Sequence, residues 1–559
     1  MRWVVSILVA LILGALPGGA VELRGPKLAV ASSFGQGVPP GLLDRALSLG
    51  IDDLRDELFW YRVEDRSGGF HYDEPMTVYP DQAGAGGATI SLLVNNGHPK
   101  FDGGTTPLSP AAVRGFGRHA AAVVARFPAV TSVEVGNEFN SGDFVSGPLL
   151  KQPLAARAAA YVALLKSVYD QVKALRPEVR IIGGGVHSIP SGYLGQMLAL
   201  GAAGYMDSIA LHPYDTPIEQ LARQIAVMRR LPGLEKMPVE ITEFGSQDPA
   251  GAPDALLRGY CQMALSGVSR LAWYALNQRG DGYMPLIDSD LRQTEVMRSF
   301  LFLRETMEGR QVQDVAPDPF TYACLFDERV LVIWGVPRDL RLMSDQVQMR
   351  DATGQVLPGR DFRLSETAPL VLTSTGPIDL SRDFVLGAQE VIADSFHQFS
   401  FPDPAVPGGG TDPFRRFVRD PDGETPLATM PGQGGPGRPW TPWLGVSKNA
   451  DVRVLSQVML PAGFPSYPVE IVHEFRAPRA MRVRLDAQFD LVGESRDGIS
   501  VVVRLNGEDL AKWVDTGLVA YRPPVLSLPA GARLEIALSP GATTEGDLTR
   551  YRITLRHAD

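Results

Sequence analysis

The sequence predicts an α/β chain built as a (β/α)8 TIM barrel, followed by a small all-β unit and a C-terminal β-sandwich of jelly-roll type. Three observations carry this. Between residues 27 and 308, eight β-branched runs that read as strands mostly alternate with helical patterns. Two of those runs, Val133-Glu134-Val135-Gly136-Asn137-Glu138-Phe139-Asn140 and Val239-Glu240-Ile241-Thr242-Glu243-Phe244-Gly245, end in a carboxylate among small, turn-prone residues. After residue 309 the helical patterns stop, and short strands separated by turns take over. An open doubly wound sheet is the alternative for the first part. It is disfavoured because no Gly-rich phosphate turn follows the first strand.

Near the start stand Arg2, an apolar run over 3–16 broken by Ser6 and Gly14, and the small residues of Pro17-Gly18-Gly19-Ala20. This pattern is expected to be a secretory signal peptide over residues 1–20, cleaved near Ala20, which would export the protein to the periplasm or beyond. An uncleaved anchor is the alternative, although the run is short for a bilayer span. No cysteine stands directly after the run, which disfavours a lipoprotein anchor, and no later segment is apolar for about 18 residues. No stable membrane insertion is therefore expected after cleavage.

The barrel is assigned to residues 21–309. Its strands are expected at 27–34, 53–60, 88–95, 131–137, 180–184, 208–211, 238–242 and 270–276. Helices are expected at 41–49, 110–127, 154–175, 194–200, 218–230, 255–266 and 294–307, the long 154–175 helix carrying alanine and leucine on one face. In such a barrel the active site lies at the C-terminal ends of the strands. Glu138, His212, Tyr214 and Glu243 all fall there, and Arg55 lies inside the second strand.

Residues 310–379 read as a small β unit packed on the barrel, with short strands at 321–326, 330–334, 346–351 and 370–373. Residues 380–451 are rich in proline and glycine, as in Pro407-Gly408-Gly409-Gly410, and read as linker or extended loops. Long structureless stretches are uncommon in compact domains, so part of this segment is expected to be ordered against a neighbour. Residues 452–559 return to strands, with turns at Asp497-Gly498 and Asn506-Gly507. They form the sandwich, a candidate carbohydrate-binding module.

Composition bounds the function. A chain of 559 residues exceeds one ordinary core. Hydrophobic residues at 45% against 21% charged ones mark it as folded throughout most of its length. A net charge of −10 argues against nucleic acid and against an anionic membrane surface as partners. The oligomeric state is not legible. Export would permit a disulfide between Cys261 and Cys324. Two buried thiols is the preferred reading, because spacing alone does not bring them together.

An apolar strand has no use for a charge at its tip, so two such tips suggest paired carboxylates facing one cleft. Retaining glycoside hydrolysis needs that pair, one carboxyl to protonate the leaving oxygen and one to attack the anomeric carbon, about 5 Å apart. The acid is expected to be partly desolvated, with its pKa raised. Glu138 is assigned as acid/base and Glu243 as nucleophile. Asn137 can offer an amide to a sugar hydroxyl beside the acid. Tyr214 and Arg55 can donate towards Glu243, His212 can orient or polarise a neighbour, and Trp273 can supply a stacking face for a sugar ring.

At these residues the chain resembles the large clan of retaining (β/α)8 glycoside hydrolases. There an Asn-Glu pair follows strand four and a Glu ends strand seven, matched here by Asn137-Glu138 and Ile241-Thr242-Glu243-Phe244-Gly245. Within the clan it looks most like glycoside hydrolase family 39 and its bacterial exopolysaccharide-cleaving relatives. Leu54-Arg55-Asp56-Glu57 with Trp60, His212-Pro213-Tyr214 and Trp273-Tyr274 add to the match over roughly residues 27–310. The resemblance implies retention through a glycosyl-enzyme intermediate on a polysaccharide or oligosaccharide, with no metal and no cofactor. One departure stands out: Ala275-Leu276-Asn277-Gln278-Arg279-Gly280 lacks the acidic residues such relatives often carry after the aromatic pair.

Other readings remain open. A barrel that binds carbohydrate without turnover is disfavoured by the intact Glu138 and Glu243. A transglycosylase or a partner in polysaccharide biosynthesis would use the same intermediate. Glu134 and Glu240 lie deeper in their strands and read as buried ion-pair partners. His98 and His187 read as surface residues, and Trp440, Trp443 and Trp513 as core or interface packing.

Overall fold

The computed structural model describes residues 22–403, 405 and 412–558. The expected signal peptide, residues 1–20, lies outside them. Eight parallel strands close into a barrel in chain order: β1 (Lys27–Ala31), β2 (Asp53–Glu57), β3 (Thr89–Val94), β4 (Val130–Val135), β5 (Arg180–His187), β6 (Ser208–His212), β7 (Val239–Phe244) and β8 (Val268–Tyr274). Closure is by β1 against β8, with Lys27 beside Arg270 and Ala31 beside Tyr274.

The outer helices form where the 3.6-residue period returns. Pro110–Arg126 starts at Ser109, whose Oγ accepts from the Ala112 N–H, with Pro110 at its first position. Leu154–Leu175 buries Ala158, Tyr161, Leu165, Val168 and Val172 along one stripe. The helix Pro75–Ala85 was not expected. Pro80 inside it and Gly84 near its end blur the helical pattern, and reciprocal bonds between Glu74 and Thr77 start it instead.

Beyond the barrel, two small antiparallel sheets share a core of Leu331, Ile333, Leu340, Met349 and Leu372. The final region is a sandwich of a nine-stranded and a six-stranded antiparallel sheet around Ile471, Val501, Ile536, Ile553 and Leu555. The 380–451 stretch, expected as linker or extended loops, contributes strands to both sheets. Val391–Asp394 pairs with Thr549–His557 in one, and Phe414–Asp420 pairs with Glu470–Arg476 in the other. The reason is burial: Phe414, Phe417 and Val418 are buried, and Arg419 meets Glu470 and Glu535 across the sheet.

The two cysteines correct the expectation of buried thiols. Cys261 on the helix Ala252–Leu265 and Cys324 on the strand Thr321–Phe326 form a disulfide, with Cα atoms 6.0 Å apart. The small β unit packs that strand directly on the barrel helix. This proximity is a tertiary fact that spacing in the sequence does not carry.

Candidate active site

Alternate residues of the barrel strands point inwards, and they stack as two ionic layers. In the lower layer Asp53 receives Arg270 at 2.7 Å and Lys27 at 2.8 Å, while Glu240 receives Arg180 at 2.6 Å and the Ser208 hydroxyl at 2.7 Å. One pleat further along, Arg55 and Thr242 take the same strands upwards. The Arg55 guanidinium donates to Glu134 through Nε at 2.6 Å and Nη2 at 3.0 Å. Its Nη1 reaches Glu243 Oε1 at 2.7 Å, and Nη2 also donates to Asn137 Oδ1 at 3.1 Å. Thr242 Oγ1 donates to Glu134 Oε1 at 2.9 Å. Glu134 and Glu240 are thus the buried ion-pair residues their depth in the strand suggested.

Strict alternation would turn Glu243 away from the cleft, because Thr242 already points in. A β-bulge prevents this. Between Ile241, opposite Leu271, and Phe244, opposite Trp273, β7 carries one residue more than β8. The extra residue re-aims Glu243 upwards, a common use of bulges beside functional groups. A second bulge, at Gly184-Gly185 in β5, makes room for the turn that carries Glu138. Gly136 has φ +73° and Glu138 φ +45°. A Cβ on Gly136 would stand 2.9 Å from the Tyr161 ring, so glycine is needed there on both counts. The Glu138 N–H donates to the Gly185 carbonyl at 2.6 Å, and the strained turn is held in place.

The result brings Glu138, His212 and Glu243 together, with one ligating atom of each within 4.8 Å of the others. His212 is fully buried. Its Nδ1 lies 2.9 Å from Glu138 Oε1 and its Nε2 lies 3.0 Å from Thr242 Oγ1. The Tyr214 hydroxyl donates to Glu243 Oε2 at 3.0 Å. Asn137 commits its carbonyl oxygen to Arg55, which leaves its amide N–H group to face the cleft. His187, read from sequence as a surface residue, instead joins Glu138 at 3.4 Å and Asp215 at 2.9 Å.

Charge follows from this geometry. Burial pushes the Glu138 carboxyl up, but hydrogen bonds from His187 and His212 outweigh it and hold the group at about 2. That reverses the expectation of a raised acid. Burial pushes both histidines down, yet the carboxylates prevail: Asp215 and Glu138 raise His187 to about 10, and Glu243, Glu134 and Glu138 raise His212 to about 9. Protons in the site therefore rest on the imidazoles beside Glu138, within hydrogen-bond reach of it. The set titrates as a cluster. Glu138, His212 and Glu243 are close enough to share a cation. Arg55 already supplies the positive charge at Glu243, however, and both His212 nitrogens face partners, so an ion would have to displace them.

Trp273 is a correction. It is buried, packs edge-on against Phe244, and spends its indole N–H on the Met284 carbonyl at 2.9 Å. Arg270 points inwards, so Ala272 and Tyr274 do too, and Trp273 must face the outer helices. The period of two, counted from Arg270, would have found Tyr274. That tyrosine packs against Tyr283 and bonds Asp281 at 2.6 Å, which places an acidic residue beside the aromatic pair from further along the loop. Glu57, part of the strand-two motif but given no role from sequence, also faces the site. It lies two residues beyond Arg55 on the same face, with Gln36 and Asn96 as donors, and burial raises it to about 7. A cavity of about 680 Å³ adjoins the site, sharing Tyr214 and Gly245 and walled on its far side by Arg550 and Arg552 of the sandwich.

No protein-family model matches the chain, and no curated protein matches it in sequence. Solved structures do. A family 39 glycoside hydrolase from the gut symbiont Bacteroides cellulosilyticus WH2 is similar with a TM-score of 0.51 at 18% identity, over 63% of this chain and 81% of that one. A family 39 β-xylosidase from Caulobacter crescentus aligns with a TM-score of 0.46 at 13% identity, over 64% and 98%. A family 39 enzyme from Xanthomonas axonopodis pv. citri gives 0.44 at 12% identity, over 93% and 95%. At 18% identity, what is shared with the first of these is the fold.

Proposed function

We propose that the protein is an exported retaining glycoside hydrolase that cleaves O-glycosidic bonds of a polysaccharide by double displacement. The observation that carries this is the pair of Glu138 and Glu243, with carboxylate oxygens within 4.8 Å at the mouth of the barrel. That spacing suits attack by one carboxylate and proton transfer by the other, and leaves no room for the interposed water of an inverting enzyme.

Glu243 is the nucleophile. Arg55 and Tyr214 each donate to one of its oxygens, which aligns the carboxylate for attack. In the first step a Glu243 oxygen bonds to the anomeric carbon. The glycosidic C–O bond breaks with its electron pair on the leaving oxygen, which takes a proton from Glu138. As the bond breaks, that proton reaches Glu138 from the adjacent imidazolium of His212 or His187, so the acid need not hold it at rest, and the proton Glu138 takes up in the second step returns to the imidazole. In the second step water loses a proton to Glu138, its oxygen bonds to the anomeric carbon, and Glu243 is freed. The amide of Asn137 reaches towards a hydroxyl of the sugar held at Glu243.

Export rests on the apolar run before Ala20 and on the Cys261–Cys324 disulfide, which an oxidising compartment favours. A bacterial exopolysaccharide is the proposed substrate class, on the resemblance of Asn137-Glu138 and the strand-seven motif.

The test is intact-protein mass spectrometry after incubation with a panel of 2-deoxy-2-fluoro glycosides. A glycosyl adduct on Glu243, absent from Glu243→Gln, is expected, and it would name the sugar accepted there. An adduct on another residue, or an equal one in the variant, would refute the assignment. No adduct, together with no release of sugar from extracted exopolysaccharides, would favour a barrel that only binds.

A further inference from the structure

The segment 431–440, a loop of the sandwich between the strands Ala428–Met430 and Trp443–Val446 of its nine-stranded sheet, is pinned to the loop of the acid. Asn140, two residues beyond Glu138, donates from its amide to Gln433 Oε1 at 3.0 Å, and the Gln433 amide donates to the Asn140 carbonyl at 3.1 Å. Both side chains are buried. The Gly192 N–H donates to the Gly432 carbonyl at 2.8 Å, which ties the segment to the helix after β5 as well. Gln433 closes a turn by donating its N–H to the Pro439 carbonyl at 2.7 Å, and Trp440 emerges beside the catalytic groups. Its ring centre lies 4.8 Å from that of His187, edge to face, and the residue stays partly exposed.

His187 connects this tryptophan to the chemistry. Its ion-pair partners are Glu138 and Asp215, and its other side stacks on Tyr214, the donor to Glu243. The row Trp440, His187, Tyr214 thus runs past Glu138 towards Glu243. Glu138 delivers its proton to the oxygen that joins the sugar at Glu243 to the next unit. That next unit must then lie on the Glu138 side, where Trp440 stands.

We propose that Trp440, with His187 and Asp215, forms the subsite for the leaving sugar unit, built by a segment outside the barrel. The indole offers a flat apolar face to the C–H side of a pyranose ring, and Asp215 offers acceptors to its hydroxyls. The same place receives the acceptor if the glycosyl group passes to a sugar instead of water. This inference rests on the glycosidase reading, and the experiment separates the two.

Wild type, Trp440→Ala and Trp440→Phe are assayed on the α- and β-fluorides of glucose, galactose, mannose and xylose, and on β-linked oligosaccharides of the same sugars. Fluoride is a leaving group that needs no such subsite. Trp440→Ala is expected to lower kcat/KM on an oligosaccharide by roughly 10- to 100-fold relative to the corresponding fluoride, mainly through KM, and Trp440→Phe to restore most of it. Equal losses on both substrates, or none on either, would overturn the subsite and leave Trp440 as interface packing. Thermal unfolding of each variant shows whether an equal loss stems from misfolding, and the phenylalanine variant then decides. A wild type inert on every fluoride and unlabelled at Glu243 would overturn the glycosidase reading, and the subsite with it.

Discussion

The barrel holds two sets of buried charges one pleat apart, and they do different work. In the lower layer three cations, Lys27, Arg180 and Arg270, meet two carboxylates, Asp53 and Glu240. Carboxylate oxygens there face cations or a hydroxyl, with Asp53, Glu240 and Arg270 buried and the Lys27 and Arg180 side chains reaching towards solvent. In the upper layer one permanent cation, Arg55, faces Glu134 and Glu243, and Glu138 is met only by histidines. The upper set is short of fixed positive charge, so it draws protons onto His187 and His212. Buried ion pairs with matched charges hold a structure together. A carboxylate surplus at a strand mouth draws protons onto neighbouring imidazoles, the arrangement on which the proposed roles of Glu138 and Glu243 rest.

Substitutions can break the comparison at its strongest point first. Glu243→Gln should reduce turnover by roughly 10⁴-fold or more while leaving the unfolding midpoint close to wild type, since the proposed nucleophile has no substitute. Glu138→Gln should cost roughly 10²- to 10⁴-fold on poor leaving groups and far less on glycosyl fluorides. Steady-state kinetics on both substrate types checks the pair, and full activity of either variant on every substrate would refute the upper layer's role.

The lower layer should behave in the opposite way. Asp53→Asn leaves the Arg270 charge buried without its main partner, at a cost of about 3–5 kcal/mol in stability. Turnover of the molecules that remain folded should change little. Urea unfolding, read alongside kcat per folded molecule, would refute the division of labour if kcat fell while stability held.

The smallest effect sharpens the protonation argument. His187 is raised from 6.5 to about 10 in the folded state, so its stabilising contribution is fully present below pH 6.5 and is lost as the pH rises through about 10. Glu138 is lowered from 4.5 to about 2, so its contribution is present above pH 4.5 and lost as the pH falls through about 2. Wild type should therefore exceed His187→Gln in urea midpoint by most near pH 5.5, with the gap closing towards pH 10. A gap of constant size would show that His187 carries no proton in the folded protein.

Much of the fold was legible because the barrel repeats one physical unit, a β-branched run followed by an amphipathic helix. Leu154–Leu175 stands where its apolar stripe predicted. Pro75–Ala85 was missed because Pro80 masks a helix that its surroundings complete. Glu138, Glu243, Arg55, His212 and Tyr214 converge because strand ends in a closed barrel converge. Trp273 differs from expectation because Arg270 points inwards, so the period of two turns Trp273 towards the outer helices and Tyr274 towards the cleft.

The sequence by itself determined the layers, the strand-end carboxylates and the chemistry they suit, since each depends on local periodicity or on residue type. Only the tertiary structure decided which groups meet. The bulges in β5 and β7 re-aim Glu138 and Glu243 through pairing with neighbouring strands. Cys261 meets Cys324, His187 meets Glu138, and Trp440 arrives from 302 positions beyond Glu138 (440 − 138), each through packing between segments distant in the chain. The physical reason is the same in each case. A periodic pattern states which face a residue occupies, whereas a contact depends on what the rest of the chain brings to that face.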